Sequence, residues 1–302
     1  MISVFICTYN PNYLNLKLTV DTVLKQNFQK EWEFCIIDNN SQNPVSEIDY
    51  IKEHNIKVVV EKKQGLTAAR GCATNIAAGE ILVFIDDDNL IDENYLTAVD
   101  ILFEQRDLGI VSGSILPQYE SMPRPWFVGF ESSIAVKDFS YLTENVFFNE
   151  PTYTTYFPIG AGMSVRRGLI EEYYHKHLLS PDNYIEGRKG NELSSAEDID
   201  IAYFALHRGF MIGVSPKLKM HHIIPAFRVT YEYILKLSLA SMKSTYYVNK
   251  KWKPIFSQTL FSMFEISPLK LRLYSLIALS LSIFSKKYSL KSKIYKELIK
   301  YN

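Results

Sequence analysis

The sequence predicts an α/β protein: a doubly wound, mostly parallel sheet followed by a helical C-terminal extension. Three observations carry this. Apolar runs of strand length alternate with segments of helical spacing over the first 116 residues, the pattern of a parallel sheet with crossover helices. Three of the first four runs end in polar turns rich in Asp or Asn, and right-handed crossovers put those turns at one edge. The fourth run, Ile81 to Ile85, is five bulky apolar residues leading into Asp86, Asp87 and Asp88. Such a run fits a strand buried on both faces.

The elements follow in order. Residues 2–7 form a first strand that stops at Thr8-Tyr9-Asn10-Pro11. Residues 14–27 carry Leu14, Leu18, Val20, Val23 and Leu24 at roughly helical spacing. Trp32 to Ile37 is a second strand ending in Asp38-Asn39-Asn40-Ser41. Residues 46–54 look helical, and Ile56 to Val60 is a third strand. Leu66 to Ala78 is Ala-rich and helical, with Gly79 as the expected C-cap. After the triple-aspartate strand come a helix over roughly 92–105 and a strand over 109–115. Residues 117–158, rich in Pro and aromatics, read as irregular loops with a mobile segment. Gly160-Ala161-Gly162 precedes a short apolar stretch, Met163 to Val165. Residues 197–209 are helical, and 210–222 read as a last strand ending in His221-His222.

Bulk properties narrow the classes. A chain of 302 residues with 47% hydrophobic and 22% charged content is folded rather than disordered. The formal net charge of zero does not suggest a nucleic-acid partner. Cys7, Cys35 and Cys72 have neither metal nor redox spacing, which fits a reducing compartment. The first ten residues lack a basic signal-peptide region and read as a strand.

Three adjacent carboxylates repel one another and resist burial unpaired. At the C-terminal edge of a sheet, where ligands bind in open α/β folds, they invite a hard divalent cation, Mg²⁺ or Mn²⁺; an acidic turn in water is the alternative. Asp38 to Ser41 is either a turn or a set of groups for a nucleobase edge. Tyr9 either stacks on that base or packs in the core. Arg70, on the helix opened by Gly65, contacts phosphate, or orients the aspartates, or is solvated. Glu197 and Asp198 begin a helix, where acidic residues cap by default; a general base is the functional reading. His221-His222 either belong to a turn or supply a cation ligand.

These pieces resemble the inverting glycosyltransferases of family 2, with the GT-A fold. They come in the family's order: Thr8-Tyr9-Asn10, Asp38 to Ser41, Gly65 to Arg70, Asp86-Asp87-Asp88, Gly160 to Gly162, Glu197-Asp198 followed by Arg208, and His221. The resemblance covers residues 1–225. It implies a catalytic domain there, with residues 1–116 for the nucleotide sugar and 117–225 for the acceptor, and an extension over 226–302. It implies a nucleotide-diphosphate-sugar donor, a UDP-sugar by preference, and a saccharide or lipid-linked saccharide acceptor in cell-surface polysaccharide synthesis. Asp88 matches the metal-binding carboxylate and Asp87 the one near ribose and metal. Asp198 matches the catalytic base, and His221 a late histidine on the metal or diphosphate. Thr8, Tyr9, Asn10, Asp38, Asn39, Arg70 and Asp86 are expected around the nucleotide. Trp126, Gly160, Ala161, Gly162 and Glu197 are expected around the acceptor or sugar. Asn39 departs from the pattern, because many members carry a second Asp there.

The chemistry agrees. A departing diphosphate gains negative charge that a divalent cation offsets. An acceptor hydroxyl needs a carboxylate to remove its proton. One base and one displacement invert the anomeric centre. A metal-dependent nucleotidyltransferase is the competing enzyme class, but residues 8–13 lack the Gly-rich turn it would need. A silent sugar-nucleotide-binding module is a third reading, and Asp198 argues against it.

Residues 268–302 hold eight basic side chains against Glu297 alone, a net of +7 that leaves −7 on residues 1–267. Leu273 to Ser285 is uncharged, and at 13 residues too short for a bilayer span of roughly 20. Ser275, Ala278, Ser282 and Ser285 form a small-residue stripe. An interfacial membrane anchor is expected, with packing on the catalytic domain or in a homodimer as the alternative. The expected location is cytoplasmic, peripheral at the inner face of the cell membrane.

Overall fold

A computed structural model describes residues 1–151, 153–179, 185, 187, 188, 193, 196–257 and 260–301. Nine strands among them form one sheet: β1 (Ile2–Thr8), β2 (Trp32–Asp38), β3 (Lys57–Val60), β4 (Ile81–Ile85), β5 (Asn89–Ile91), β6 (Leu108–Tyr119), β7 (Val146–Phe148), β8 (Met163–Arg166) and β9 (Met211–Ile224). Their order is β3-β2-β1-β4-β8-β6-β9-β5, with β7 also on β9. The first four are parallel, as is the long β6–β9 pair. The antiparallel β8 joins the two halves between β4 and β6.

Helices cover both faces, so the strands need apolar residues on both. On β1, Phe5 packs with one layer while Val4 and Ile6 pack with the other; on β4, Leu82 and Phe84 oppose Val83 and Ile85. This is the two-residue period of a pleated strand. α3 (Leu66–Ile76), α5 (Arg167–Leu179) and α6 (Glu197–His207) supply the first layer, and α1 (Tyr13–Leu24) and α4 (Tyr95–Leu102) the second. α2 (Asp49–Glu53) is a short element between β2 and β3. Asn12 caps α1, its side chain accepting from the Leu14 and Asn15 amides.

Several elements differ from expectation. The helical reading of 46–54 divides at Ile48, whose extended backbone separates a 3₁₀ turn, Val45–Glu47, from α2. α4 starts later than residue 92 because Asn89–Ile91 pairs with β9 as β5 and the Asp92 side chain turns the chain at Asn94. Gly79 is not a cap: α3 ends at Ile76 with Ala77 as its extended C-cap. A Cβ on Gly79 would stand 2.7 Å from the Ser3 nitrogen, so close approach to β1 demands the glycine. The expected loop region begins later, because β6 runs on to Tyr119, and it is broken by β7 at Val146–Phe148. The irregular chain between them is packed, with Phe127, Phe130, Ile134 and Phe139 buried.

The extension is helical: α7 (Tyr231–Phe256), α8 (Pro268–Leu281) and α9 (Lys286–Leu298). α7 is tied to the sheet half through buried Asp200, which accepts from Lys251, Trp252 and Tyr173 at 2.6–2.8 Å. The small-residue stripe of α8 faces inward: Ser275 and Ala278 are buried, and Ser275 bonds to Ser292 of α9.

Candidate active site

The C-terminal ends of β1 and β4 open onto a cavity of about 380 Å³, within the usual range for small-molecule sites. Thr8, Tyr9, Asn39, Arg70, Asp86, Asp87, Asp88, Gly160, Ala161, Glu197 and Asp198 line it. Residues from six separate sequence segments thus converge there.

Asp86, Asp87 and Asp88 leave β4 into the turn before β5. Thr8 donates to an Asp87 oxygen. Burial and the neighbouring Asp88 charge push the Asp87 carboxyl up to about 7. Burial works in the same direction on Asp88, but His222, Arg228 and Arg188 outweigh it and hold that carboxyl below its ordinary value. The Asp88 Oδ2 lies 3.4 Å from His222 Nε2 and 3.3 Å from Arg228 Nη1.

His222, not His221, is therefore the histidine at the carboxylates. Alternation along β9 leaves His221 exposed and buries His222. Its Nδ1 is buried with no hydrogen-bond partner among the described residues. Among those residues no three His, Cys, Asp or Glu side chains form a ready metal cage. Mg²⁺ needs none: one or two carboxylates plus substrate phosphates suffice. Two crowded carboxylates, one of them forced towards neutrality, and an adjacent imidazole nitrogen fit a hard divalent ion. Asp87, Asp88 and His222 are the residues that would hold it. Such an ion supplies positive charge to a leaving diphosphate.

Asp198 is the second residue of α6 and half-buried. Its Oδ2 accepts from the Gly160 amide at 2.8 Å and its Oδ1 from the Ile199 amide at 2.9 Å. A carboxylate has about four acceptor sites, so capping and an open face toward the cavity coexist.

Glu197 differs. It is 2% exposed, receives Arg70 Nη1 at 3.1 Å and the Tyr174 hydroxyl at 3.0 Å. It holds Arg70 rather than a sugar. Arg70 also donates to the Gly160 carbonyl at 3.2 Å and is 3% exposed, so it orients the wall instead of standing in solvent. A Cβ on Gly160 would come within 2.7 Å of that guanidinium.

The other expected residues divide. Tyr9 is 41% exposed on the cavity and free to stack. Asp38 is buried, off the cavity, and accepts from the Ser41 and Val45 amides; it builds the loop. Asn10 and Asn40 adopt positive φ, which Asn tolerates, and Asn10 pairs with Ser41 and Gln42. The Asn39 amide is taken up by Glu61 and Lys63 carbonyls and the Gly65 amide. Trp126 stands behind the wall on Phe127 and Tyr231. Gly162 is off the cavity lining; its φ of 65° and its bond from the Tyr95 hydroxyl shape the turn into β8. Gln64, Arg188, Arg228 and Tyr233 line the cavity without having been singled out.

Comparison with known proteins bears on the family and the fold. The profile described as glycosyl transferase family 2 matches residues 3–174, more than half of the chain. Glycosyltransferase GlyG of Streptococcus pneumoniae is 26% identical over 125 residues. That alignment spans 40% of this chain and 41% of GlyG, so the chain matches well under half of that relative's length. The crystal structure of S. aureus TarS 1–349 superposes with a TM-score of 0.51 at 16% identity, over 99% of this chain and 89% of that one. TarS 1–349 in complex with UDP-GlcNAc gives 0.53 at 14% identity, over 99% and 90%. At such identities the likeness is one of fold. The chain belongs to glycosyl transferase family 2.

Proposed function

We propose that the chain moves a sugar from a nucleotide-diphosphate sugar, with UDP as the preferred nucleotide, to a hydroxyl of a saccharide or lipid-linked saccharide acceptor in cell-surface polysaccharide synthesis. The observation that carries the reading is that one cavity joins Asp87 and Asp88 on one side to Asp198 on another. TarS, similar in fold, has structures with UDP and with UDP-GlcNAc, which supports a UDP-sugar as the first donor to try.

Each residue then has a task. Tyr9 stacks on the base. Asp87, Asp88 and His222 would hold a Mn²⁺ or Mg²⁺ ion, which would offset charge on the diphosphate, and Arg228 and Arg188 add positive charge near Asp88. Asp198 takes the acceptor proton as its oxygen attacks the anomeric carbon. With one base and no second carboxylate as nucleophile, displacement is single and the configuration inverts.

The test is a donor-hydrolysis screen across nucleotide sugars, run beside calorimetry of UDP with and without Mn²⁺. Turnover of one donor with metal-linked UDP binding is expected. Tight UDP binding with no turnover of any donor, with or without saccharide acceptors, would leave a binding module instead.

A further inference from the structure

α8 touches the rest of the chain along one narrow stripe. Leu271, Ser275 and Ala278 are its buried residues, spaced as one helix face. Outside that stripe it is open to water and, apart from Lys270 and Arg272 in its first turns, largely apolar. Leu269, Leu273, Leu276 and Ile277 are 48–77% exposed, and Ile283 and Phe284 in the turn to α9 are 85% and 83% exposed. Nine of the 23 exposed large hydrophobic side chains among the described residues fall between 269 and 284. Scattered apolar residues on a surface are ordinary, but a continuous patch marks an interaction site.

We propose that the α8–α9 hairpin docks on an anionic lipid bilayer, lying in its interface with Ile283 and Phe284 inserted. Charge selects this occupant. Residues 268–302 carry a net +7. A second copy offering the same face would set +7 against +7, whereas an anionic surface complements it. Lys286 and Lys287 directly follow the apolar turn, where headgroup phosphates would lie. Length decides between lying on the bilayer and crossing it. The 14 residues of α8 extend about 21 Å, short of a hydrocarbon core of about 30 Å. No helix among the described residues is long and apolar enough to cross.

The hairpin also stands beside the cavity. Leu290 of α9 packs into the cluster of Phe127, Ile134 and Val229. Tyr231 meets Ser289 at 3.1 Å and lies under the Lys286 and Lys293 ammonium groups. Ile134, Arg228 and Tyr233 of this same region line the cavity. Docking would therefore bring that wall to the lipid surface, the arrangement a lipid-linked acceptor needs. The docking surface itself is independent of the proposed transfer reaction.

Cosedimentation of the full chain with vesicles of phosphatidylcholine, with and without phosphatidylglycerol, tests it. Binding only to the anionic vesicles is expected. Lys286→Gln with Lys287→Gln should weaken it about 25-fold, from about five-fold per lysine. Ile283→Asp with Phe284→Asp should weaken it by about 100-fold or more. The Asp variant should keep the wild-type melting temperature, because both its side chains are exposed, and both variants should keep the UDP affinity, because all four side chains lie off the cavity. No sedimentation of the wild type, or wild-type binding by the Asp variant, would overturn the proposal. A concentration-dependent dimer in analytical ultracentrifugation, abolished by the Asp variant, would overturn it in favour of a second copy.

Discussion

The base role proposed for Asp198 needs a lone pair that its helical position leaves free. Asp198→Asn keeps the shape, but its one amide oxygen can accept from only one of the Gly160 and Ile199 amides. Steady-state assays should show turnover lowered by about 10²–10⁴, with UDP affinity unchanged and stability lowered by about 0.5–1.5 kcal/mol, one lost hydrogen bond; a loss of turnover no larger than that loss of stability accounts for would make it a cap only. Asp87 sets a pH signature. Its carboxyl, pushed up to about 7 in the folded chain, lies above its unfolded value near 4. The folded state therefore holds the proton more tightly, and stability falls as pH rises from about 4 to about 7. A divalent ion relieves the charge that remains. Mn²⁺ should raise the melting temperature clearly at pH 8 and little at pH 5.5; an equal rise at both would detach the ion from Asp87. Arg228, 3.3 Å from Asp88, competes for the same carboxylate. Calorimetry without nucleotide should show Arg228→Gln binding Mn²⁺ more tightly than wild type; unchanged or weaker binding would show that the guanidinium does not oppose the ion.

The buried ion pair between α3 and α6 fixes how the two helices face the cavity. Arg70 and Glu197 side chains are 4% and 2% exposed. Removing one partner of such a pair strands the other charge, at about 3–5 kcal/mol. Urea denaturation of Glu197→Ala should show a loss of that size, and Glu197→Gln a smaller one. An unchanged midpoint for Glu197→Ala would mean that Arg70 finds another counter-charge. The pair also shows what sequence can and cannot reveal at this scale. The strand ends, the triple aspartate and Asp198 were legible because each is a local pattern: an apolar run, a charge cluster, a helix start. The partner of Glu197 was not, since Arg70 lies 127 positions away. Nor was the choice between His221 and His222. A strand shows its residues on alternate sides, so a shift of one residue reverses which histidine faces Asp88. β9 also shifts register against β6 near Gly113 and Ser114, which no local pattern announces. Arg228 sits in a 3₁₀ turn that carries no periodic signal.

At the scale of the whole chain, the helical extension shares its core with the sheet half. α7 contributes Val248 and Trp252 to the cluster containing Phe84, Met163 and Tyr203. α9 contributes Leu290, fully buried, to the cluster around Phe127 and Ile134. The sequence shows α8 and α9 as apolar and basic segments, but not which of their faces is spent on protein. Inside that packing Leu290 and Phe284 have opposite fates. Leu290→Ala should cost about 2–5 kcal/mol, the range for emptying a packed leucine site, and urea denaturation would report it as a lower midpoint. Because Leu290 backs the wall that includes Ile134, its loss should also weaken saccharide acceptor use, read as a raised acceptor KM. Phe284→Ala, with an 83% exposed side chain, should leave the midpoint in place. If Leu290→Ala were as stable as wild type, α9 would be an appendage resting on the surface.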